Sequence, residues 1–211
     1  TLILLINQKQ PPIVYFVIVY MALLTTFSRS SYLMFLISGL ILSFLKKSKF
    51  LFLSTLILFL GLLLGFQIYT QIVAQPRNID REQSASFRLN TWQQGLAIFE
   101  RYPVLGVGFN AYRYAIREFG IADGQFLQSR GSSSNDSSLL FVLATTGILG
   151  FASYVAFLFS IIQNRPVILL PAIGGLIIHS LFSNSLFYPF ILFWIILVVS
   201  NLNDDTNHLK S

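Results

Sequence analysis

The chain has 211 residues, 55% of them hydrophobic and only 10% charged, with a mean hydropathy of +0.70, so it lacks the polar residues to coat a soluble globule of its length. Lipid is therefore expected to form part of its solvent. A net charge of +6 would suggest nucleic acid in a soluble protein. In a chain this apolar the placement of each charge says more than the sum, and no nucleic-acid partner is expected.

Thr1 to Ile6 reads as the end of a hydrophobic segment already under way, with neither an initiator Met nor a signal peptide in view. Missing N-terminal spans are expected. Ile13 to Phe27 and Tyr32 to Leu45 are apolar runs of 15 and 14 residues. They either borrow flanking residues to cross a bilayer or form a shallow hairpin tipped by Ser28-Arg29-Ser30-Ser31. Phe50 to Gln75, Ser137 to Asn164 and Pro166 to Asn203 contain no Asp, Glu, Lys or Arg and are long enough to span. The last has room for two spans, folding back near Ser183-Asn184-Ser185. Five or six spans follow. The expected fold is an all-α, polytopic transmembrane bundle with a large external loop that carries short amphipathic helices. Its parts are N-terminal transmembrane helices over 1–69, the external loop over 70–136, C-terminal transmembrane helices over 137–200 and a polar tail over 201–211.

Orientation follows from the basic residues of the short connections. Lys46, Lys47 and Lys49 place the second turn in the cytoplasm. Alternation then puts Lys9, Arg165 and the tail inside, and Arg29, the polar loop and the Asn184 turn outside. All five lysines come out cytoplasmic and eight of the nine arginines external. Ordinary loop composition explains that sorting as well as a phosphate site does, although the planar guanidinium is the better bidentate partner for phosphate.

The segment from Thr70 to Ser137 holds 13 of the 22 charged residues. Gln75-Pro76-Arg77 turns the chain out of the membrane. From about Ser84 to Glu100, Trp92, Leu96 and Phe99 recur at helical spacing with Arg88 one turn before Trp92, predicting an amphipathic helix on the bundle. Pro103, Gly106 and Gly108 end it in a tight turn. A second amphipathic stretch, Asn110 to Phe119, gathers Tyr112, Ala115, Ile116 and Phe119 on one side and the pair Arg113 and Arg117 on another. That pair reads first as a solvated face.

Three residues carry two readings each. Arg88 is either an arginine snorkelling from an interfacial helix or a cation set where a lipid-linked phosphate would lie. Asp136, in Asn135-Asp136-Ser137-Ser138 at the water edge of the next span, is either a helix cap or a carboxylate able to take a proton from a sugar hydroxyl. His179, near the outer end of its helix, either bonds a neighbouring helix or contacts substrate.

Taken together these patches resemble the O-antigen ligase and polymerase superfamily, bacterial membrane proteins that move glycans from a polyprenyl-diphosphate carrier. The likeness runs from Thr26-Phe27-Ser28-Arg29-Ser30 through Arg88 and Trp92 to Pro103-Val104-Leu105-Gly106-Val107-Gly108. It ends on Asp136-Ser137-Ser138-Leu139-Leu140 and Thr146-Gly147-Ile148-Leu149-Gly150. Each motif alone is weak, and their order and spacing make the set specific. The resemblance implies an inverting, metal-independent glycosyltransferase at the outer face of the plasma membrane. It would have a polyprenyl-diphosphate-linked glycan as donor, a glycan or lipid A core as acceptor, and no cofactor. Arg88 and Arg29 would meet the charge of the leaving diphosphate, and Asp136 would be the catalytic base. Arg113, Arg117 and His179 would contact substrate. Many ligases of this kind carry His where this chain has Asp136, which makes polymerisation the firmer expectation than ligation to a lipid A core. The alternatives are a flippase or other transporter of lipid-linked sugars, a noncatalytic cell-wall scaffold, and a cell-wall glycan polymerase of the shape and division type.

Overall fold

The computed structural model describes residues 13–72, 78–121, 124, 127, 130–163 and 169–197, and among these every regular element is helical. In chain order they are α1 (Ile13–Thr25), α2 (Arg29–Leu45), α3 (Lys49–Ile72), α4 (Asn78–Arg101), α5 (Tyr112–Glu118), α6 (Ser138–Gln163), α7 (Leu170–Ser180) and α8 (189–197). Short 3-10 turns lie at Arg130–Ser133 and Ser185–Phe187. The expected turn at Gln75-Pro76-Arg77, the start of the chain and the polar tail over 201–211 lie outside the described residues.

Among the described residues two helices are long and apolar enough to cross a membrane: α3, and α6 from Ser138 to Ser160. The core helix of a soluble protein buries most of its apolar surface, whereas only 11% of the apolar window of α3 and 28% of that of α6 is buried. α1, α2 and α7 are apolar but shorter, and α7 rises only about 16 Å at 1.5 Å per residue. Among the described residues two helices, not five or six, thus meet the length and composition of a crossing, with three shorter apolar helices beside them.

The chain forms two compact units, 1–80 with 166–179 and 81–165 with 180–211. In the first, small residues bring helix backbones together, as is usual where lipid removes the hydrophobic drive for helix pairing. A methyl group at Gly39 would collide with Thr55 of α3, and one at Gly175 would collide with Ser38 of α2. Tyr20 Oη donates to the Leu58 carbonyl at 2.8 Å, and Tyr32 Oη to the Leu24 carbonyl at 2.8 Å, so each phenol satisfies its polar end on a neighbouring backbone. The turn between α1 and α2 is tighter than the expected tip at Ser28 to Ser31. Phe27 takes φ +47°, and Ser28 Oγ accepts from the Ser31 N–H at 3.4 Å as the cap of α2. Arg29 to Ser31 are therefore already helical.

The second unit is built on a core of Ile98 from α4, Tyr112, Ala115 and Ile116 from α5, and Phe141 and Ala144 from α6. Phe141 meets Tyr112, Phe109 and Phe187 at ring-centroid distances of 5.4, 5.2 and 5.7 Å. α4 was expected to pack through Trp92, Leu96 and Phe99. Its buried face lies one residue further round the helix, on Thr91, Gly95 and Ile98, while Leu96 is 44% exposed. The cause is steric: Gly95 lacks the side chain that would otherwise meet Asn135, its Cβ position lying 2.7 Å from Asn135 Nδ2.

α6 is broken at Gly147, which takes φ +64° and ψ −167°, a conformation open to glycine alone. A break inside an apolar span frees backbone groups that lipid cannot satisfy. Here the turn 103–108 takes them up. Val107 and Gly108 donate to the carbonyls of Ala144 and Thr145 at 3.2 and 2.7 Å, and Ile148 and Leu149 donate to those of Pro103 and Val104 at 2.8 and 3.4 Å. Both half-helix ends are capped by one main-chain clasp.

Candidate functional site

The site is assembled where α4 passes the start of α6, within the second unit. Arg88, Thr91 and Gly95 fall at spacings of three and four along α4, on the face that is packed. Thr91 is buried and Arg88 half-buried. The Thr91 hydroxyl lies 2.9 Å from the Arg88 carbonyl and 3.4 Å from Asp136 Oδ2, and its single proton serves one of them at a time. Burial pushes the Asp136 carboxyl above the ordinary aspartate range, opposed by the Arg88 guanidinium and the Thr91 hydroxyl, which both favour the charged form. Arg88 and Asp136 are thus near enough for the guanidinium to act on the carboxyl.

Asp136 is not the cap of α6. That role falls to Ser137, whose carbonyl accepts from the Phe141 N–H at 2.9 Å and whose Oγ accepts from the Leu140 N–H at 3.4 Å. With capping supplied by its neighbour, the carboxylate meets the Thr91 hydroxyl.

What holds it there is Asn135, fully buried and given no role by sequence reasoning. Its Nδ2 donates to the Thr91 carbonyl and, at 2.9 Å, to Tyr112 Oη, while its Oδ1 accepts from the Ser137 N–H at 2.9 Å. One amide thereby ties α4, α5 and the start of α6 together. Burial drives the Tyr112 phenol up to about 12, with the Asn135 hydrogen bond opposing and the Asp136 charge adding to the rise. The only advance signal was the run Asn135-Asp136-Ser137, residue types that bond local backbone at helix starts. Replacing Asn135 by Ala leaves the Thr91 carbonyl and the Tyr112 hydroxyl buried without this donor. A loss of about 2–4 kcal/mol is expected, read as a lowered thermal midpoint in detergent.

The next turn is fixed from the other side. Ser138 Oγ lies 3.1 Å from Asn184 Oδ1 and accepts from the Leu186 N–H at 3.2 Å. Trp92, one turn beyond Arg88, packs on Phe182 at 5.7 Å.

The remaining candidates lie elsewhere. Arg113 and Arg117 are exposed on α5 and line an open recess with Tyr114, Gly124 and Leu127, the Arg113 guanidinium donating to the Leu127 carbonyl. Arg29 is exposed at the first turn of α2, in the first unit. His179 belongs to the first unit too, where its Nε2 lies 3.5 Å from Ser31 Oγ of α2. This contact joins α7 to α2. Among the described residues no three His, Asp or Glu side chains gather as a metal site would require.

The sequence model of the family described as O-antigen ligase matches residues 14–155, more than half of the chain. No curated protein and no solved structure matches.

Proposed function

Because the chain belongs to the O-antigen ligase family, a family of glycan-handling ligases and polymerases, we propose that it is a membrane glycosyltransferase. It moves or polymerises a glycan from a polyprenyl-diphosphate carrier onto a sugar hydroxyl at the outer face of the bacterial plasma membrane. The observation that carries this reading is the half-buried pair of Arg88 on α4 and Asp136 just before α6, one cation and one carboxylate of raised pKa. The acceptor hydroxyl oxygen attacks the anomeric carbon and gives its proton to Asp136. The bond from that carbon to the diphosphate oxygen breaks, the electron pair leaves with the polyprenyl diphosphate, and Arg88 meets the charge that grows there. Attack opposite the leaving group inverts the anomeric centre.

A raised carboxyl pKa suits a general base better than an ordinary aspartate would, since proton transfer is most effective when the base titrates near the working pH. In this reading residues 70–136 form the external loop and the helices on either side form a polytopic bundle. Arg29, Arg113, Arg117 and His179 are proposed substrate contacts on the strength of the family resemblance alone.

A lipid-linked sugar transporter is the rival from another class. Transporters use broken spans whose freed backbone groups face the cargo. The four groups at the Gly147 break named above are instead bonded to the turn 103–108. Purified protein in vesicles with a lipid-linked glycan separates the two: new glycosidic bonds are expected, and lost with Arg88→Ala at normal membrane insertion. Scrambling of the lipid without bond formation would favour the transporter, and unchanged product from the variant would reject Arg88.

A further inference from the structure

The turn 103–108 is apolar and exposed although it lies outside every helix. Val104, Leu105, Ile148 and Leu149, the four side chains around the clasp, range from 49% to 72% exposed. Water normally claims such a turn, because its main-chain groups need partners. Here Pro103 has no N–H to satisfy, and the N–H groups of Gly106, Val107 and Gly108 and the carbonyls of Pro103 and Val104 are all hydrogen-bonded. That removes part of the usual penalty for immersing a loop in hydrocarbon, the N–H groups of Val104 and Leu105 being left without a main-chain partner.

The depth follows from the length of the span. Beyond the break, residues 148–163 of α6 rise only about 24 Å at 1.5 Å per residue, less than the roughly 30 Å of a bilayer core. The polar Asn164 and Arg165 follow at the far end. For α6 to cross, the break and the turn clasped to it must lie at or below the membrane surface. The half of α6 beyond the break carries exposed Ile148, Leu149, Val155, Phe157 and Phe159, whereas Phe141, Val142, Ala144 and Thr145 before it are buried in protein. The exposed apolar surface of the second unit thus runs from the half of the span beyond the break onto the turn.

We infer that residues 103–108 form a re-entrant wedge whose tip, Val104 and Leu105, contacts the acyl chains of the bilayer. The wedge anchors the C-terminal end of α4 at a set depth. The inference concerns membrane placement and stands whether or not the proposed transfer reaction is right.

The chain has no cysteine, so an introduced thiol offers a single labelling position within it. Leu105→Cys is labelled with a nitroxide in the intact protein, reconstituted in phosphatidylethanolamine and phosphatidylglycerol vesicles. Collision rates with oxygen, which partitions into lipid, and with a water-soluble nickel chelate are then measured. Phe157→Cys on the exposed half of α6 and Tyr114→Cys on α5 serve as lipid and water references. The Leu105 label is expected to resemble the Phe157 label, with oxygen accessibility exceeding that of the chelate severalfold. Resemblance to the Tyr114 label would overturn the wedge. So would shielding from both probes, which would mean that protein, a second copy included, covers the tip. Val104→Cys provides the second position, and it must report the same environment.

Discussion

Asp136→Asn is expected to lower glycan transfer by about a hundredfold to ten-thousandfold, the range over which a positioned general base acts, while the protein inserts and folds normally. The amide keeps the shape of the carboxyl but cannot take the proton of an attacking hydroxyl. Folding should survive because α6 is capped by Ser137 and the surrounding network is held by Asn135, neither of which needs the Asp136 charge. The pH profile of the unmodified protein gives the second readout. Burial raises the Asp136 pKa, so the basic form is lost as pH falls through a value above the ordinary aspartate range. The acid limb of activity is expected there. Arg88 lowers that pKa, and Arg88→Gln should move whatever acid limb survives to still higher pH. An acid limb at or below the ordinary aspartate range, or full activity in Asp136→Asn, would remove Asp136 from the chemistry.

Gly147→Ala should have the largest effect on stability. A side chain at φ +64° and ψ −167° is strained by about 1–3 kcal/mol. The added methyl would also run into the Val104 carbonyl and the Leu105 nitrogen, backbone atoms that cannot step aside without parting the clasp. Overpacking of this kind adds a further 1–3 kcal/mol or so. A total above about 3 kcal/mol would appear as a large drop in thermal midpoint in detergent and as low yield from the membrane. Gly120→Ala makes the useful comparison. Its φ of +62° is similar but nothing lies within 4 Å of the added methyl, so the smaller loss is expected there. Equal tolerance at both positions would mean that the clasp contributes little.

The apolar runs alone were enough to read the class of fold, since long stretches without charge have few structural options. The helices α5 and α6 were legible to within a turn, one from its amphipathic spacing and the other from its uncharged run, whereas α4 starts at Asn78, well before the expected start at about Ser84. The register of α4 was not legible. Hydrophobicity ranks Trp92, Leu96 and Phe99 above Thr91 and Gly95, yet the packed face is chosen by what Asn135 needs, a bare backbone at Gly95 and a carbonyl at Thr91. A buried amide with three bonds across three elements leaves no periodic trace. Pro103, Gly106 and Gly108 announced a turn, and Thr146-Gly147 resembled a family motif. Nothing local could reveal that the two fit each other, because the bonds between them join main-chain atoms some 40 residues apart. Arg88 and Asp136 stood out as charges in the right neighbourhoods. The division of the described chain into two units, with Arg29 and His179 in one and Arg88 and Asp136 in the other, has no counterpart in composition.

Because the clasp is stitched entirely through peptide groups, it reads no side-chain identity at the positions it joins. Val104, Leu105, Ile148 and Leu149 can drift among aliphatic residues without loosening it, whereas Gly106 and Gly147 cannot change at all, each being the place where the opposing chain leaves no room for a methyl. Two glycines separated by a long stretch would then be inherited as a pair, and losing either one would undo the reason for keeping the other.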